Sequence, residues 1–457
     1  MTPQQLFATH ALLPGGWARD VLLEWDERGT LVAATPQCPA AAGVPRAAGL
    51  VVPGLPNLHS HAFQRAFAGL TEHRTGAADS FWSWRDRMYR FANAITADEI
   101  EDIATHLYVE MLRAGYTSVC EFHYLHHDPH GAPYADPAET ALRIAAAAGR
   151  AGIGLTLLPV LYRTSGFGGT PPLPEQRRFI TEVDTLLRIV ERVRDAGTRT
   201  GVAPHSLRAV PPASLQALVA GLHASDAGAP VHIHVAEQRR EVDDCLAWSG
   251  RRPVQWLIDN AALDARWCLV HATHAGAAEL RALAPTGATL GLCPTTEANL
   301  GDGIVDAAAW ADAGGAWGIG SDSHASVDAA EELRWLEYTQ RLATGQRNVL
   351  ATGRDPQVAS ALWRAAVAGG ARASGRSVAG LAVGQRADFL VLAGGGLAHG
   401  LSPDQALAGH VFTRPPDSTI DEVWVGGRRS VVQGHHALAD TARQRFVAAR
   451  ARLLQAG

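Results

Sequence analysis

Two histidines two residues apart, His59 and His61, stand where an apolar run, Leu50–Val52, meets a Pro/Gly break in the stretch PGLPNLHSHAFQR. In an extended segment residues i and i+2 face the same way, so both imidazoles can reach one ion from one strand end. A His-x-His pair at the mouth of a strand is a common start of a zinc or iron site. Two surface histidines also fall at this spacing by chance, so donors elsewhere must decide between a ligand pair and a polar loop.

Those donors recur at the ends of apolar runs. PVHIHVAE (230–237) carries His234 and, three residues on, Glu237; WCLVHATH carries His271; AWGIGSDSH carries Asp322. Three neutral imidazoles and one carboxylate hold a divalent cation and leave a position for water. Water bound there loses its proton near pH ~7 rather than ~16 and can attack an electrophilic carbon. Glu237 is placed to carry a proton without ligating, and His271 to hydrogen-bond the water or the developing tetrahedral centre. Asp322 can both bind the metal and accept the water proton. His232 shares a side of the pleat with His234; His234 is preferred because it lies nearer the strand's C-terminal end. Asp322 has a plainer reading as a helix cap. His123, His126, His127, His130 and His274 read as loop or supporting residues.

These residues need a scaffold that brings strand ends together. Eight β-rich runs, at 50–61, 116–126, 153–162, 200–210, 230–237, 267–274, 288–300 and 316–324, alternate with Ala/Leu/Arg segments of helical period. The alternation predicts a (β/α)₈ barrel, an α/β fold whose chemistry sits at the C-terminal strand ends. Shorter strand-like runs before and after it predict a small flanking β-sandwich built from both chain ends. The expected division is 1–50 and 376–457 for the flanking domain and 51–375 for the barrel. Asp440–Leu454 reads as a closing helix capped by Asp440.

Composition narrows the function classes. The 457 residues are 47% hydrophobic and 19% charged, with a formal net charge of −5, which offers no basic field for nucleic acid. No run spans a bilayer, no secretory signal is visible, and five cysteines without a C-x-x-C pair predict reduced thiols in a cytoplasmic protein. The chain contains no lysine. That excludes a P-loop lysine, a Schiff-base lysine and a carboxylated lysine bridging two metals.

With these motifs in place, the chain resembles the amidohydrolase superfamily in its mononuclear deaminase branch. PGLPNLHSH, HIHVAE, LVHATH, GIGSDSH and GQRADFLVL carry the likeness. It implies one divalent ion per subunit, zinc by resemblance, on His59, His61, His234 and Asp322, with Glu237 as proton shuttle and His271 as a non-ligand partner. HSHAFQRAFAGL, DSFWSWRDRMY (79–89), EFHYLHH and APHSLRAV look like the formimidoylglutamate deiminase family within it. The implied reaction is hydrolysis of N-formimino-L-glutamate to N-formyl-L-glutamate and ammonia, in histidine degradation, by a homodimer. The substrate is a small dicarboxylate amidine, and Arg guanidinium forks suit its carboxylates. The resemblance implies that Gln64, Arg85, Tyr124, His205 and Arg208 contact it. Arg85 falls between Trp82 and Tyr89 on one face of an expected helix in the loop around 79–91, a candidate lid; its plainer reading is a solvated charge. Purine deamination and a metal-free scaffold role stand as the alternatives.

Overall fold

The computed structural model describes residues 4–73, 81–353, 355–393, 399–413 and 420–456. Eight barrel strands follow one another with helices between them. They are β1 (Leu55–Ser60), β2 (Tyr116–His123), β3 (Gly154–Leu161), β4 in two pieces (Arg199–Thr200 and Ala203–Pro204), β5 (Val231–Val235), β6 (Trp267–His271), β7 (Thr289–Leu292) and β8 (Ala316–Ile319). Neighbours pair in parallel from β1 to β4 and from β5 to β8. Isolated parallel bridges close the ring: Val202 and Ser206 of the β4 region meet Val231 and His234, and Ser60 meets Asp322. These strands are buried on both faces, which is why they read as continuous apolar runs rather than alternating ones.

The run Leu50–His61, expected to be one barrel strand, is divided at Gly54. Leu50–Pro53 pairs antiparallel with Phe389–Leu392 and touches Ala11 of Gln4–Leu13, so it belongs to the sheet of the chain ends. The chain then changes sheets: Gly54 N–H donates to Asp388 O and Leu55 N–H to Gly115 O. A side chain at Gly54 would lie 2.2 Å from Thr117, so only glycine lets the backbone pass there.

The chain ends build one mixed sheet of eight strands, in the order His435–His436, Arg428–Val432, Ile420–Val425, Phe389–Leu392, Leu50–Pro53, Gln4–Leu13, Gly16–Trp25, Leu31–Thr35. The sheet curls on itself, so that its two halves face each other as the layers of the expected sandwich. Trp25 and Phe389 are three strand spacings apart, ~14 Å in a flat sheet. Their rings lie 5.9 Å apart, edge to face, with Trp424 5.6 Å from Trp25. The enclosed core is separate from that of the barrel.

The closing helix runs Ala439–Ala456, and Ala442 N–H already donates to Leu438 O. Asp440 is thus inside the first turn, where its charge favours the helix dipole, and is not the cap. The helix packs on Ala97–Arg113, with Arg452 paired to Glu99. No helix among the described residues is long and apolar enough to cross a membrane, and the five cysteines are free thiols.

Candidate metal centre and substrate cleft

Barrel closure explains how residues more than 250 positions apart meet. Asp322 N–H donates to His59 O at 3.0 Å and His61 N–H to Asp322 O at 3.2 Å, so the end of β1 and the segment after β8 lie side by side. His234 N–H donates to His205 O across β4 and β5. Three imidazole nitrogens converge as a result: His59 Nε2 is 3.1 Å from His61 Nε2 and 3.0 Å from His234 Nε2. Asp322 Oδ1 is 3.4 Å from His59 Nε2 and 3.3 Å from His61 Nε2.

The protons are placed for metal binding. His61 Nδ1–H donates to Phe122 O and His234 Nδ1–H to His205 O, each at 3.0 Å, so both rings present bare Nε2 lone pairs inward. Burial holds all three imidazoles below their ordinary pKa. Lone pairs facing one another at such distances repel unless a cation lies between them, and three nitrogens with one carboxylate match the donors of a divalent ion. The residues fit the group.

Glu237 and His271 stand beside this centre. His271 Nε2 is 3.8 Å from Glu237 Oε1 and 3.7 Å from Asp322 Oδ2. Burial pushes the Glu237 carboxyl up to about 7. Burial alone would lower His271, but the carboxylates of Glu237, Glu297 and Asp322 outweigh it and raise its pKa. Ala236, His271 and Asp322 have φ of 51°, 69° and 46°. Left-handed backbone at non-glycine residues costs roughly 1–2 kcal/mol each and clusters at functional sites.

Three bracing carboxylates are absent from the residues that the sequence reading singles out. Glu121 accepts from Ser60 Oγ (2.5 Å), Ala62 N–H (2.6 Å) and Tyr108 OH (3.1 Å), fixing the segment that bears His59 and His61. Glu241 accepts from the Ala236 and Glu237 backbone N–H groups. Glu297 accepts from His271 Nδ1–H at 3.3 Å and so turns Nε2 toward the site. An acid in the first turn of the helix after a barrel strand, as at Glu241 and Glu297, is the signal that finds two of them.

The centre opens into a cleft of about 550 Å3, counted to its open mouth. His61, His234, Glu237, His271 and Asp322 reach it from the side of the imidazole cluster; His59 lies beneath. Gln64, Arg85, Tyr124, His205 and Arg208 all line it. Gln64 Nε2 donates to Tyr124 OH at 2.9 Å, leaving its buried Oε1 without a partner. The helix Phe81–Ala92 lies across the cleft, presenting Phe81, Trp84, Arg85, Met88 and Tyr89 at helical spacing. Asp79 and Ser80 of that motif lie outside the described residues. Arg85 stacks over Trp82 (4.5 Å) and Tyr89 (5.5 Å), so it is not a solvated charge. Among the described residues neither Arg85 nor Arg208 pairs its guanidinium with a carboxylate, although both reach the cleft.

The other histidines brace the barrel. His126 and His127 donate to Val160 O and Ile180 O, and His123 meets Thr140 Oγ1. His232 donates to Ala373 O at 2.8 Å, and burial lowers its pKa to about 4. The unfolded value is ~6.5, so this neutral contact stabilises the fold fully above that pH and is lost as pH falls toward 4. The urea midpoint should therefore drop less between pH 7 and pH 5 in His232→Gln than in the parent protein; an equal drop refutes the assignment.

Gly320 sets the ligand position from behind. A side chain there would come within 2.8 Å of His59 Cβ and N and 2.9 Å of its carbonyl O. Gly320→Ala is expected to lower metal affinity and activity together, by roughly 10–100-fold, as for lost second-layer support of a ligand. Unchanged metal affinity in a chelator competition would show that the backbone yields instead.

Residues 50–429 match the model of the amidohydrolase family. A formimidoylglutamate deiminase from Pseudomonas aeruginosa is 51% identical over 446 residues, covering 97% of this chain and 98% of that protein. An 8-oxoguanine deaminase from the same species is 30% identical, covering 87% and 86%. A crystal structure of an amidohydrolase from Brucella melitensis superposes with a TM-score of 0.94 at 48% identity, covering 99% of this chain and all of the other. This chain belongs to the amidohydrolase family.

Proposed function

We propose that this enzyme hydrolyses N-formimino-L-glutamate to N-formyl-L-glutamate and ammonia, a step of histidine degradation. The observation that carries the reading is the pair of guanidiniums, Arg85 and Arg208, that have no paired carboxylate among the described residues, in the cleft that leads to a cluster of candidate metal ligands. Both side chains are half-buried, and a ligand with two carboxylates offers each guanidinium the paired acceptor that it lacks. The 51% identical deiminase supports the same substrate.

His59, His61, His234 and Asp322 hold one divalent ion, which supplies Lewis acidity and lowers the pKa of water. We take the ion to be zinc, one per subunit of a cytoplasmic homodimer, on the family resemblance. Arg85 and Arg208 bind the substrate carboxylates, while Tyr124, Gln64 and His205 border the chain between them and the formimino carbon. His271, its Nδ1–H held by Glu297, donates from Nε2 to the oxygen added at that carbon. Asp322 accepts the proton released from water. Glu237 relays both protons of the water, the first from Asp322 and the second from the added hydroxyl, to the imino nitrogen, which departs as ammonia while the carbon keeps the oxygen as the formyl carbonyl.

The test is ammonia release by zinc-loaded enzyme from N-formimino-L-glutamate, N-formimino-L-aspartate and guanine. Selective turnover of the glutamate compound is expected. Turnover of guanine alone would discard the arginine roles and keep the centre.

A further inference from the structure

At the opposite end of the barrel, where the starts of β3 and β4 face the curled sheet, lies a second cavity of about 1090 Å3, again counted to its mouth. Five arginines line it: Arg28, Arg199, Arg376, Arg386 and Arg428. Glu27 is the one carboxylate in its lining, and two more act nearby: Asp226 takes Arg199 at 2.6 Å, and Asp388 lies 3.6 Å from Arg386 Nε. Positive charge remains in excess. The Nε atoms of Arg199, Arg376 and Arg386 are buried without a hydrogen-bond partner. Arg376 Nη1 donates to Leu155 O. Burial, together with the like charges of Arg386 and Arg199, holds Arg376 below its usual pKa range.

Like charges gathered around an open volume repel, and buried N–H groups without acceptors are costly. An anion with several oxygens in the space would relieve the repulsion and offer the guanidiniums acceptors. The guanidiniums arrive from three directions: the start of a barrel strand (Arg199), the segment after the helix Val358–Ser374 (Arg376), and the turns of the curled sheet (Arg28, Arg386, Arg428). That arrangement suits a tetrahedral oxyanion better than a planar carboxylate, and the Thr198 and Ser430 hydroxyls add neutral donors. We infer that this cavity is a binding site for a phosphate group, free or borne by a small phosphate ester. It is separate from the catalytic cleft and does not depend on the substrate proposed above.

Calorimetric titration of the metal-loaded protein with inorganic phosphate, at constant ionic strength in a phosphate-free buffer, tests it. Arg28 and Arg428 are exposed at the rim, so the double variant Arg28→Ala, Arg428→Ala should fold normally. Saturable binding is expected in the parent and in Arg208→Ala, and about tenfold weaker binding in the rim variant. Glycerol 2-phosphate that competes with phosphate identifies an esterified group as a ligand; failure to compete restricts the site to the free ion. Three results would overturn the inference: no saturable heat in the parent, loss of binding in Arg208→Ala with the rim variant unaffected, or glutarate binding at the rim-dependent site more tightly than phosphate.

Discussion

Glu237→Gln should lower kcat by about 10²–10⁴-fold while metal content and substrate KM stay within a few-fold of the parent. The expectation follows from where the carboxyl sits. Its backbone N–H and that of Ala236 are held by Glu241, so the side chain is aimed, and it stands 3.8 Å from His271 Nε2 without touching the three imidazole nitrogens that converge on one another. Glutamine keeps that shape and loses the exchangeable proton. Burial already raises the Glu237 carboxyl into a range where it can both take and give a proton near neutral pH. Steady-state ammonia release, with metal analysis of the same sample, reads both halves. A glutamine variant with parental kcat would end the assignment of Glu237 as proton carrier. Loss of the ion along with activity would make it a ligand instead.

The parts of this site that were legible in the sequence are those set by local spacing. His59 and His61 share a face because they are two apart, and His234 is separated from His232 by depth along β5, since His232 meets Ala373 at the barrel floor. The helix bearing Arg85 was legible from its aromatic spacing. Contacts between strands were not. Glu121 braces the metal-binding segment from the neighbouring strand, 61 residues from Ser60, and nothing near Glu121 announces that partnership. The left-handed backbone at His271 and Asp322 is likewise hidden, because such φ values are inferred from glycine and neither residue is one. The division of Leu50–Ser60 between two sheets turns on which strand pairs with Val51, and an apolar run reads the same in either sheet.

Arg208→Ala should cut kcat/KM for N-formimino-L-glutamate by about 10–100-fold, the ~1.5–3 kcal/mol of one charge-assisted contact. Arg208→Lys separates its two actions. The guanidinium offers a carboxylate two parallel N–H donors, and its charge also holds the Glu237 carboxyl down against burial. Lysine restores the charge and not the fork. The alanine variant should therefore lose affinity and also shift the acid limb of the pH–rate profile upward, because Glu237 becomes easier to protonate. The lysine variant should lose affinity with the limb in place. A guanidinium that merely supported the fold would move neither the limb nor the discrimination between glutamate and aspartate substrates, and would lower thermal stability instead. Equal activity of all three proteins on the dicarboxylate would leave Arg85 as the sole anchor and remove the physical argument for a substrate with two carboxylates.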